Sequence, residues 1–550
     1  MSFHNRVILP ALAVLSLAFL IGCGSSSHST PPPSGAFSKS NLSGTYVFSI
    51  TGADDVNGLF QAITGTFSAD GNGNISSSGG AVDFANSVGD SAGTPITGGS
   101  YSVSSDGRGQ ATLDVPNPIG GTTLVVDFVL SSSSGASGGL ITQFDGNGTG
   151  SGTLALQSSS SAPAAGNYVV ALTGIFGGGG VTASYAGAVA VDPSGNITGS
   201  LDYAQGGDSG TCTITSGSAV TAIGATLNFT GCTSSNLTLD AYPVSSSDVK
   251  LISDSPNQYP ILSGDAFSQS STSFPSGQLV FTMSGLDTGL GAPTVMAGLV
   301  TSDGVQNLTN GEEDVNDAFT SNVSSSTSPA LSFTGQIANS PSGSSRYQLT
   351  LSNFANTGQG VGTWLFVAYP SDNGVVLLEI DSSGGTAGTA FAQSSTALSA
   401  STGYGMNLSG TNNAGGSGLF EQDANAEFTT TSTGFSGAID INDNGVSNLI
   451  SDGNFTGNYG GIDATADGRG LITATTPDSN NPTIDAVYYT VSSTQTVMVE
   501  VDSLQLGLGS LITQSGSSSS SLASNFAQQH MAAIRAAAKA LKAKKEAEKK

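Results

Sequence analysis

Short runs in which apolar and polar residues alternate fill the chain from about residue 41 to about residue 515. The runs "TYVFSI" and "LVVDFVL" in the first quarter are typical, and Gly, Asn, Asp and Ser separate such runs throughout. Alternation with a period of two, bounded by turn-forming residues, predicts β-strands joined by short turns. No interior segment has a helical period, so the body of the protein is predicted to be all-β.

The strand pattern repeats four times. Each repeat opens on a similar segment ("SGTYVFSITG", "AGNYVVALTG", "SGQLVFTMSG", "TGYGMNLSG") and closes on another ("GSGTLALQ", "LSGDAFSQ", "AGTAFAQ", "LGSLITQ"). Segments of about 110 residues have the size of independent domains. We therefore predict four tandem β modules, at 41–158, 165–270, 274–394 and 402–515.

About eight strands with hairpin-length turns are expected in the first module. Eight sequential antiparallel strands bury a core best by closing into an up-and-down barrel, which also removes free edges. The layout is similar, in topology only, to the avidin and lipocalin barrels. We predict eight-stranded barrels or sandwiches, and an eight-bladed β-propeller is the alternative.

The first 22 residues read as a secretory signal, because Arg6 precedes a short apolar run that ends in small residues. The ending "LIGC" resembles the lipobox of bacterial lipoproteins. That resemblance implies cleavage after Gly22, lipidation of Cys23 and a flexible tether over 23–40. Since Gly rather than Asp follows the cysteine, it implies an outer membrane lipoprotein, periplasmic or surface-exposed. An ordinary signal peptide with a chance cysteine is the alternative.

Charge is distributed very unevenly along the chain, whose formal net charge is −26. Between the signal and the C-terminal tail the basic residues are Lys39, Arg108, Lys250, Arg346 and Arg469. An acidic body repels phosphates, so we exclude nucleic acid as a partner.

The C-terminal segment 516–550 combines a Ser-rich linker with an Ala- and Lys-rich stretch of high helix propensity. Leu522, Phe526, Ile534 and Leu541 form a rough apolar stripe along it. We predict a basic helical tail. It could contact an anionic membrane or cell-wall polymer, dock on the acidic body, or stay solvated.

Few residues in this sequence are candidates for catalysis. The three histidines, His4, His28 and His530, lie in the signal, the tether and the tail, so no Ser-His-Asp site or imidazole metal site is expected in the β modules. Trp364 is the only tryptophan available to stack a sugar. We expect no enzyme activity and no cofactor.

Four acidic residues recur at equivalent places, in the "G-x-x-D" strand of each module. Recurrence in every module indicates a structural role, since a hydrolase places its acid and base once, in one cleft. The four residues are Asp83, Asp202, Asp314 and Asp440.

The segment "SADGNGNISS" (68–77) poses a choice between a calcium loop and a turn. Asp-Gly and Asn-Gly favour tight turns, and an acidic residue is missing at the closing position of a calcium loop. A weaker metal candidate is the alternating set Asp145, Asn147 and Thr149. We interpret both segments as turns.

Two matched "DGRG" turns contain Arg108 and Arg469, for which we weigh an Asp–Arg pair, an exposed charge or a carboxylate-binding site. Beyond Cys23, the cysteines are Cys212 and Cys232, at opposite ends of a predicted hairpin. Export to an oxidising compartment favours a disulfide between them, with a buried free pair as the alternative.

The overall layout resembles uncharacterised bacterial lipoproteins built from tandem Gly/Ser/Thr-rich β modules. The sequence therefore predicts a protein anchored to the membrane by its N-terminal lipid, with repeated modules serving adhesion or scaffolding. The alternatives are binding of a small ligand or glycan inside a barrel and a carboxylate-dependent hydrolase.

Overall fold

The computed structural model describes residues 37–55, 58–86, 91–118, 120–160, 163–177, 180–221, 224–254, 259–322, 330–356, 360–381, 385–413, 419–444, 448–461, 467–514 and 526–548. The predicted signal peptide, Cys23 and most of the tether lie outside these residues. Within the described residues, a short 3-10 helix, Lys39–Asn41, leads into the first of 35 strands, and one α-helix, α1 (Phe526–Glu548), follows the last.

Each predicted module forms its own antiparallel sheet. The strands of barrel 1 are β1 Ser43–Asp54, β2 Phe60–Asp70, β3 Ala81–Asn86, β4 Ser91–Pro95, β5 Gly99–Val103, β6 Arg108–Asp114, β7 Thr123–Leu130, β8 Gly139–Asp145 and β9 Gly148–Leu156. Those of barrel 2 are β10 Gly166–Phe176, β11 Val181–Val191, β12 Ile197–Gln205, β13 Asp208–Ile214, β14 Ala219–Val220, β15 Gly224–Thr230, β16 Asn236–Pro243, β17 Asp248–Ser253 and β18 Ile261–Ser268.

The second half of the chain repeats the arrangement. The strands of barrel 3 are β19 Ser276–Asp287, β20 Ala292–Asp303, β21 Asn307–Asp317, β22 Thr320–Ser321, β23 Leu331–Asn339, β24 Tyr347–Asn356, β25 Gly360–Ser371, β26 Gly374–Glu379 and β27 Ala387–Ala392. Those of barrel 4 are β28 Gly403–Asn412, β29 Phe420–Thr430, β30 Gly434–Asp443, β31 Asn448–Gly461, β32 Arg469–Thr475, β33 Thr483–Thr490, β34 Gln495–Glu500 and β35 Gln505–Thr513.

The four sheets are meander barrels with eight strand positions, as the hairpin-length turns predict. Barrel 4 has eight strands, the two-residue strands β14 and β22 lie outside the closed rings of barrels 2 and 3, and β4 and β5 are the two ends of the sheet of barrel 1. In each barrel, the first strand pairs with both the second and the last, so that Phe48 faces Gly65 on one side and Leu154 on the other. Barrel 4 closes through an unbroken ladder, and barrels 2 and 3 close through the pairs β13–β15 and β20–β21. The barrel prediction is confirmed, and the propeller alternative is wrong.

Barrel closure explains the glycine that ends the opening segment of the first two modules. A Cβ atom on Gly52 would lie 1.9 Å from the carbonyl oxygen of Thr149, and one on Gly174 would lie 1.8 Å from that of Ile261. The first and last strands cross too closely there for any side chain. In barrels 1 and 2 this Gly is therefore a requirement of closure.

Alternate strand residues point into each barrel and pack against one another. In barrel 1 these include Phe48, Phe67, Phe84 and Phe128, all buried. The residues between them point outward, and many of these are buried as well. The outward residues are covered because the barrels pack side by side.

Four apolar clusters lie between barrels and join them in a ring around α1. One joins barrels 1 and 2 (Phe60, Ala62, Ala85, Ile175, Ile252, Ile261). The next joins barrels 2 and 3 (Val169, Ala171, Ala186, Val367, Tyr369, Leu378). The third joins barrels 3 and 4 (Val280, Val295, Leu299, Val487, Val497, Leu508). The last joins barrels 4 and 1 and comprises Val129, Leu140 and Ile512.

Helix α1 lies at the centre of this ring. Phe526 packs between barrels 2 and 3, Met531 between barrels 3 and 4, and Ala533 between barrels 1 and 2. The residues from Phe526 to Ala538 include many alanines, whose small side chains let all four barrels approach the helix axis. The predicted helix exists, and its first half is docked on the acidic body. Within the described residues, no helix is long and apolar enough to cross a membrane.

Candidate functional site

The barrel interiors are filled by side chains. The cavity inside barrel 2 measures about 50 Å³ and is lined by apolar residues that include Tyr168, Val189 and Leu227. That inside barrel 3 measures about 30 Å³, among Phe281, Phe333 and similar residues. Pockets for drug-sized ligands measure roughly 300–1,000 Å³. These two interiors are packed cores, and the buried polar residues described next lie between the barrels.

The recurring acids lie at the interfaces between consecutive barrels, where two of them form similar buried triads. Asp314 of barrel 3 accepts hydrogen bonds from Arg469 of barrel 4, at 2.7 Å from both Nε and Nη2, and from the Tyr489 hydroxyl at 2.5 Å. Burial and the neighbouring carboxylate raise the pKa of Tyr489 well above its usual value. The tyrosine therefore stays a hydrogen-bond donor at every ordinary pH.

The interface between barrels 2 and 3 contains the same three residue types, an Asp, an Arg and a Tyr. Asp202 accepts a hydrogen bond from Arg346 Nε at 2.6 Å and another from the Tyr369 hydroxyl. The carboxylate is almost fully buried, with its side chain 1% exposed. Each Asp thus links its barrel to the next through one guanidinium and one phenol.

Asp440 performs the corresponding role between barrels 4 and 1. Both of its carboxylate oxygens lie 3.1 Å from Arg108 Nη1, and the same guanidinium contacts Asp452 and Asp106. Arg108 and Arg469, in the two matched turns, are therefore both buried partners of aspartates in a neighbouring barrel. The Asp–Arg pair is the arrangement found, in each case between two modules.

Asp83, at the interface between barrels 1 and 2, has different surroundings. It lies against Asp240 and Tyr242 of barrel 2, and Gly93 N–H donates to its Oδ1. Burial, and next the bond and repulsion from Asp83, raise the pKa of Asp240 to about 8. This interface therefore has a contact between two carboxyl groups where the other three have a guanidinium.

A glutamine at the end of each barrel donates to the backbone of the next. Gln157 and Gln269 bond to the carbonyls of Pro243 and Pro370, at 2.7 and 2.6 Å. Gln393 bonds to the carbonyls of Asp467 and Thr490, both at 2.8 Å.

The same bond closes the ring. Gln514, at the end of barrel 4, bonds back to the carbonyls of Asp106 and Leu130 in barrel 1, at 2.8 and 3.2 Å. The four module ends therefore make equivalent contacts around the ring, and the fourth contact joins barrel 4 to barrel 1.

Two buried ion pairs lie along the central helix. Arg535 Nη2 lies 2.5 Å from a carboxylate oxygen of Glu421 in barrel 4, and both side chains are almost fully buried. Lys250 of barrel 2 lies 2.7 Å from Asp265, which also accepts a hydrogen bond from Gln529 of the helix. Charge as well as apolar packing holds α1 in place.

His530 belongs to the folded core, which corrects the expectation that the tail places it away from the body. Its Nδ1 lies 3.1 Å from Ser284 Oγ, whose hydroxyl donates to the Ala527 carbonyl. Burial lowers the pKa of His530 to about 4. The imidazole is neutral and packed on all sides, so this Ser-His contact stabilises the helix and has no access to substrate.

The "SADGNGNISS" segment is a turn. The Asn74 side-chain amide donates to Asp70 Oδ2 at 2.7 Å, and Oδ1 accepts the N–H groups of Asn72 and Asn74 at 2.7 and 3.0 Å. The Asn74 side chain first, and then these N–H groups, lower the pKa of Asp70. The same turn recurs around Asp192 and Asp303. Each exposed aspartate stabilises its own hairpin, and its oxygens are used in doing so.

The weak metal candidates do not converge on one point. Asp145 accepts hydrogen bonds from Gln143 and from the Asn147 N–H, whereas Thr149 donates to Asp423 of barrel 4. Among the described residues no group of three His, Cys, Asp or Glu side chains is arranged to hold a metal ion.

Cys212 and Cys232 form a disulfide, with their Cα atoms 5.0 Å apart. This bond, predicted from the hairpin spacing, is confirmed. It closes a loop with a sequence separation of 20 residues in barrel 2.

Removing the disulfide by Cys212→Ser with Cys232→Ser is expected to destabilise barrel 2 by about 3 kcal/mol, because the unfolded loop gains conformational freedom. Equilibrium unfolding in urea of the double variant and of the oxidised protein measures the difference. Adding reductant to the double variant should have no further effect. A midpoint equal to that of the oxidised protein would contradict the expectation.

Several interface residues belong to no motif or repeat that would identify them in the sequence. Asp127, Glu421, Asp423 and Glu427 are outward-facing strand residues that an adjacent barrel or the helix buries. Among the interface residues that were not predicted from the sequence, the glutamines at the module ends do have a visible signal, because they recur in every closing segment.

Comparisons with known proteins assign no family. No family model and no curated protein matches the chain. Among solved structures, the vaccine antigen transferrin binding protein B of Haemophilus parasuis aligns over 71% of this chain and 85% of its own, with 9% identity and a TM-score of 0.17. The translocation pore of the P pilus usher aligns over 86% of this chain and 98% of its own, with 7% identity and a TM-score of 0.12. No family assignment follows from scores this low.

Proposed function

We propose that the protein is a lipid-anchored extracytoplasmic scaffold, in which a ring of four barrels presents an adhesive or interaction surface. The observation that carries the proposal is the position of the recurring polar residues. The interiors of barrels 2 and 3 are packed, and the recurring polar residues join one barrel to the next. Such residues build a rigid body and leave its outer surface to meet a partner.

The anchor is proposed from the N-terminal sequence. The "LIGC" segment resembles a lipobox, and a tether of Ser, Gly and Pro residues follows it. Barrel 1 begins directly after this tether, so that lipid on Cys23 would hold the ring close to an outer membrane. A disulfide in barrel 2 agrees with an extracytoplasmic location.

The far end of α1 is the part of the basic tail open to a second partner. Lys544 is exposed there, whereas Lys545 donates to the carbonyls of Thr288 and Gly289 at 3.0 and 2.6 Å. We propose that this end contacts an anionic membrane or cell-wall polymer, while the buried half of the helix stays in the ring.

The Cys23→Ser variant tests the anchor. Cells expressing the natural chain should incorporate radiolabelled palmitate into it, and it should sediment with the outer membrane. The variant should lose the label and appear in the soluble extracytoplasmic fraction, because it has no thiol to acylate. Cys232→Ser is the matched control and should keep the label. Equal labelling of the Cys23→Ser variant would overturn the proposal.

A further inference from the structure

The interface between barrels 4 and 1 is the one that closes the ring, and it is the most polar of the four. Its apolar cluster comprises only Val129, Leu140 and Ile512, whereas the other three interfaces hold larger clusters that include residues of α1. Apolar burial is the main favourable term in association. This contact therefore relies more than the others on hydrogen bonds and charge.

Side chains of barrel 4 make hydrogen bonds across the interface to the last strands of barrel 1. Asn442 Nδ2 donates to the carbonyls of Gln143 and Gly148, both at 2.9 Å. Asp423 accepts from Ser151 Oγ at 2.7 Å and from Thr149 Oγ1 at 3.0 Å. When the two barrels separate, water hydrates these polar groups. Exposing polar groups to water costs much less free energy than exposing apolar groups.

Three carboxyl groups are buried in this interface. The positive charge around them is too small to keep all three ionised. Burial raises the pKa of Asp127 and of Glu427 to about 8 and that of Asp423 to about 7. Repulsion by Asp440 adds to the shift of Asp127, and repulsion by Asp106 adds to that of Glu427. At acidic pH all three carboxyls are neutral while the interface is closed.

Arg108 and Arg535 are the cations that face these acids in the described part of the chain. Arg108 is already shared among Asp106, Asp440 and Asp452, and Arg535 is paired with Glu421. Asp440 and Asp452 face Asp127, and Asp106 faces Glu427, so these carboxylates add negative charge. The other groups are neutral donors: Gln110 beside Asp127, Thr429 beside Glu427, and Thr149, Ser151 and Ser409 beside Asp423. No described cation is left to neutralise the acids once they ionise.

We propose that the interface between barrels 1 and 4 is a proton-controlled opening in the ring, closed while Asp127, Glu427 and Asp423 hold their protons and open once they ionise. Opening returns each carboxyl to water, where it ionises near pH 4. Between about pH 4 and pH 8 the closed ring holds more protons than the open one. The closed-to-open ratio therefore falls as pH rises, by about tenfold per pH unit for each carboxyl.

Spin labels on the full chain measure the opening. Thr122→Cys and Ser479→Cys place two exposed labels on barrels 1 and 4, in a Cys23→Ser background with the disulfide intact. We expect one narrow distance distribution at pH 5 and a longer, broader one at pH 9. A second pair, Leu290→Cys with Ser479→Cys, spans barrels 3 and 4 and should keep its distance at both pH values.

Two sets of substitutions separate the interface from general acid sensitivity. Asp127→Asn with Glu427→Gln keeps the shape of the protonated acids, so the opening midpoint should rise by more than one pH unit. Glu313→Gln is the control, since Glu313 is a buried acid with a raised pKa that bonds within barrel 3. A constant distance from pH 5 to pH 9, equal widening of both label pairs, or an equal shift from Glu313→Gln would each overturn the proposal.

Discussion

Replacing Arg469 by Met is expected to destabilise the protein by about 3–5 kcal/mol at pH 7. The side chains of Arg469 and Asp314 are both fully buried, and the guanidinium supplies two of the hydrogen bonds to the carboxylate. Methionine fills much of the same volume and leaves Asp314 buried with the Tyr489 hydroxyl and a long bond of 3.5 Å from Asn322 Nδ2 as its described donors. Urea unfolding followed by circular dichroism gives the loss in unfolding free energy.

The loss should come from the charge left on Asp314, which stays buried between the barrels without its cation. Adding Asp314→Asn to the variant should recover much of the loss at pH 7. A loss below about 1 kcal/mol, the range of exposed pairs, would show that this pair does not hold barrels 3 and 4 together.

Replacing Arg535 by Ala is expected to have an effect of similar size, about 3–5 kcal/mol, and to loosen α1. Glu421, whose side chain is almost fully buried, would remain without its cation. Alanine is the best helix former, so a reduced intrinsic helix propensity would not explain the loss. Thermal unfolding gives the change in stability, and limited proteolysis shows whether the helix is released.

Lys544→Ala is the matched control for that experiment. Lys544 lies on the same helix and carries the same charge, but it is exposed. Its replacement should change stability by less than about 0.5 kcal/mol, as at other exposed positions. If both variants unfold alike, charge on the tail rather than the buried pair with Glu421 would explain the attachment of α1.

The strand content and the four-fold repeat could be predicted because both are local properties. Alternation shows which residues of "LVVDFVL" face into a barrel, and the hairpin-length turns leave a meander as the simplest topology. The disulfide could also be predicted, since Cys212 and Cys232 lie on neighbouring parts of one module. Each of these inferences needs contacts only within about 110 residues.

The interfaces could not be predicted, because outward-facing residues look alike whether water or another barrel covers them. Asp423 and Glu427 alternate with apolar residues in β29 as they would on a solvated strand. Arg108 and Asp440, which meet in the ring, are 332 positions apart in the chain. Recurrence marked the four aspartates as structural, but it did not show that each one faces the next barrel.

The C-terminal tail shows most clearly which features could be predicted from the sequence and which could not. Its composition determined that it is a helix, since Ala, Lys and Gln favour one, and its charge left several partners open. Only the tertiary structure placed it at the centre of the ring, where its alanines fit between four barrels and Arg535 meets Glu421. The sequence by itself determined the strands, the repeat and the helix, which depend on neighbouring residues. The ring, the buried acids and the position of α1 were decided by packing between surfaces that are distant in the chain.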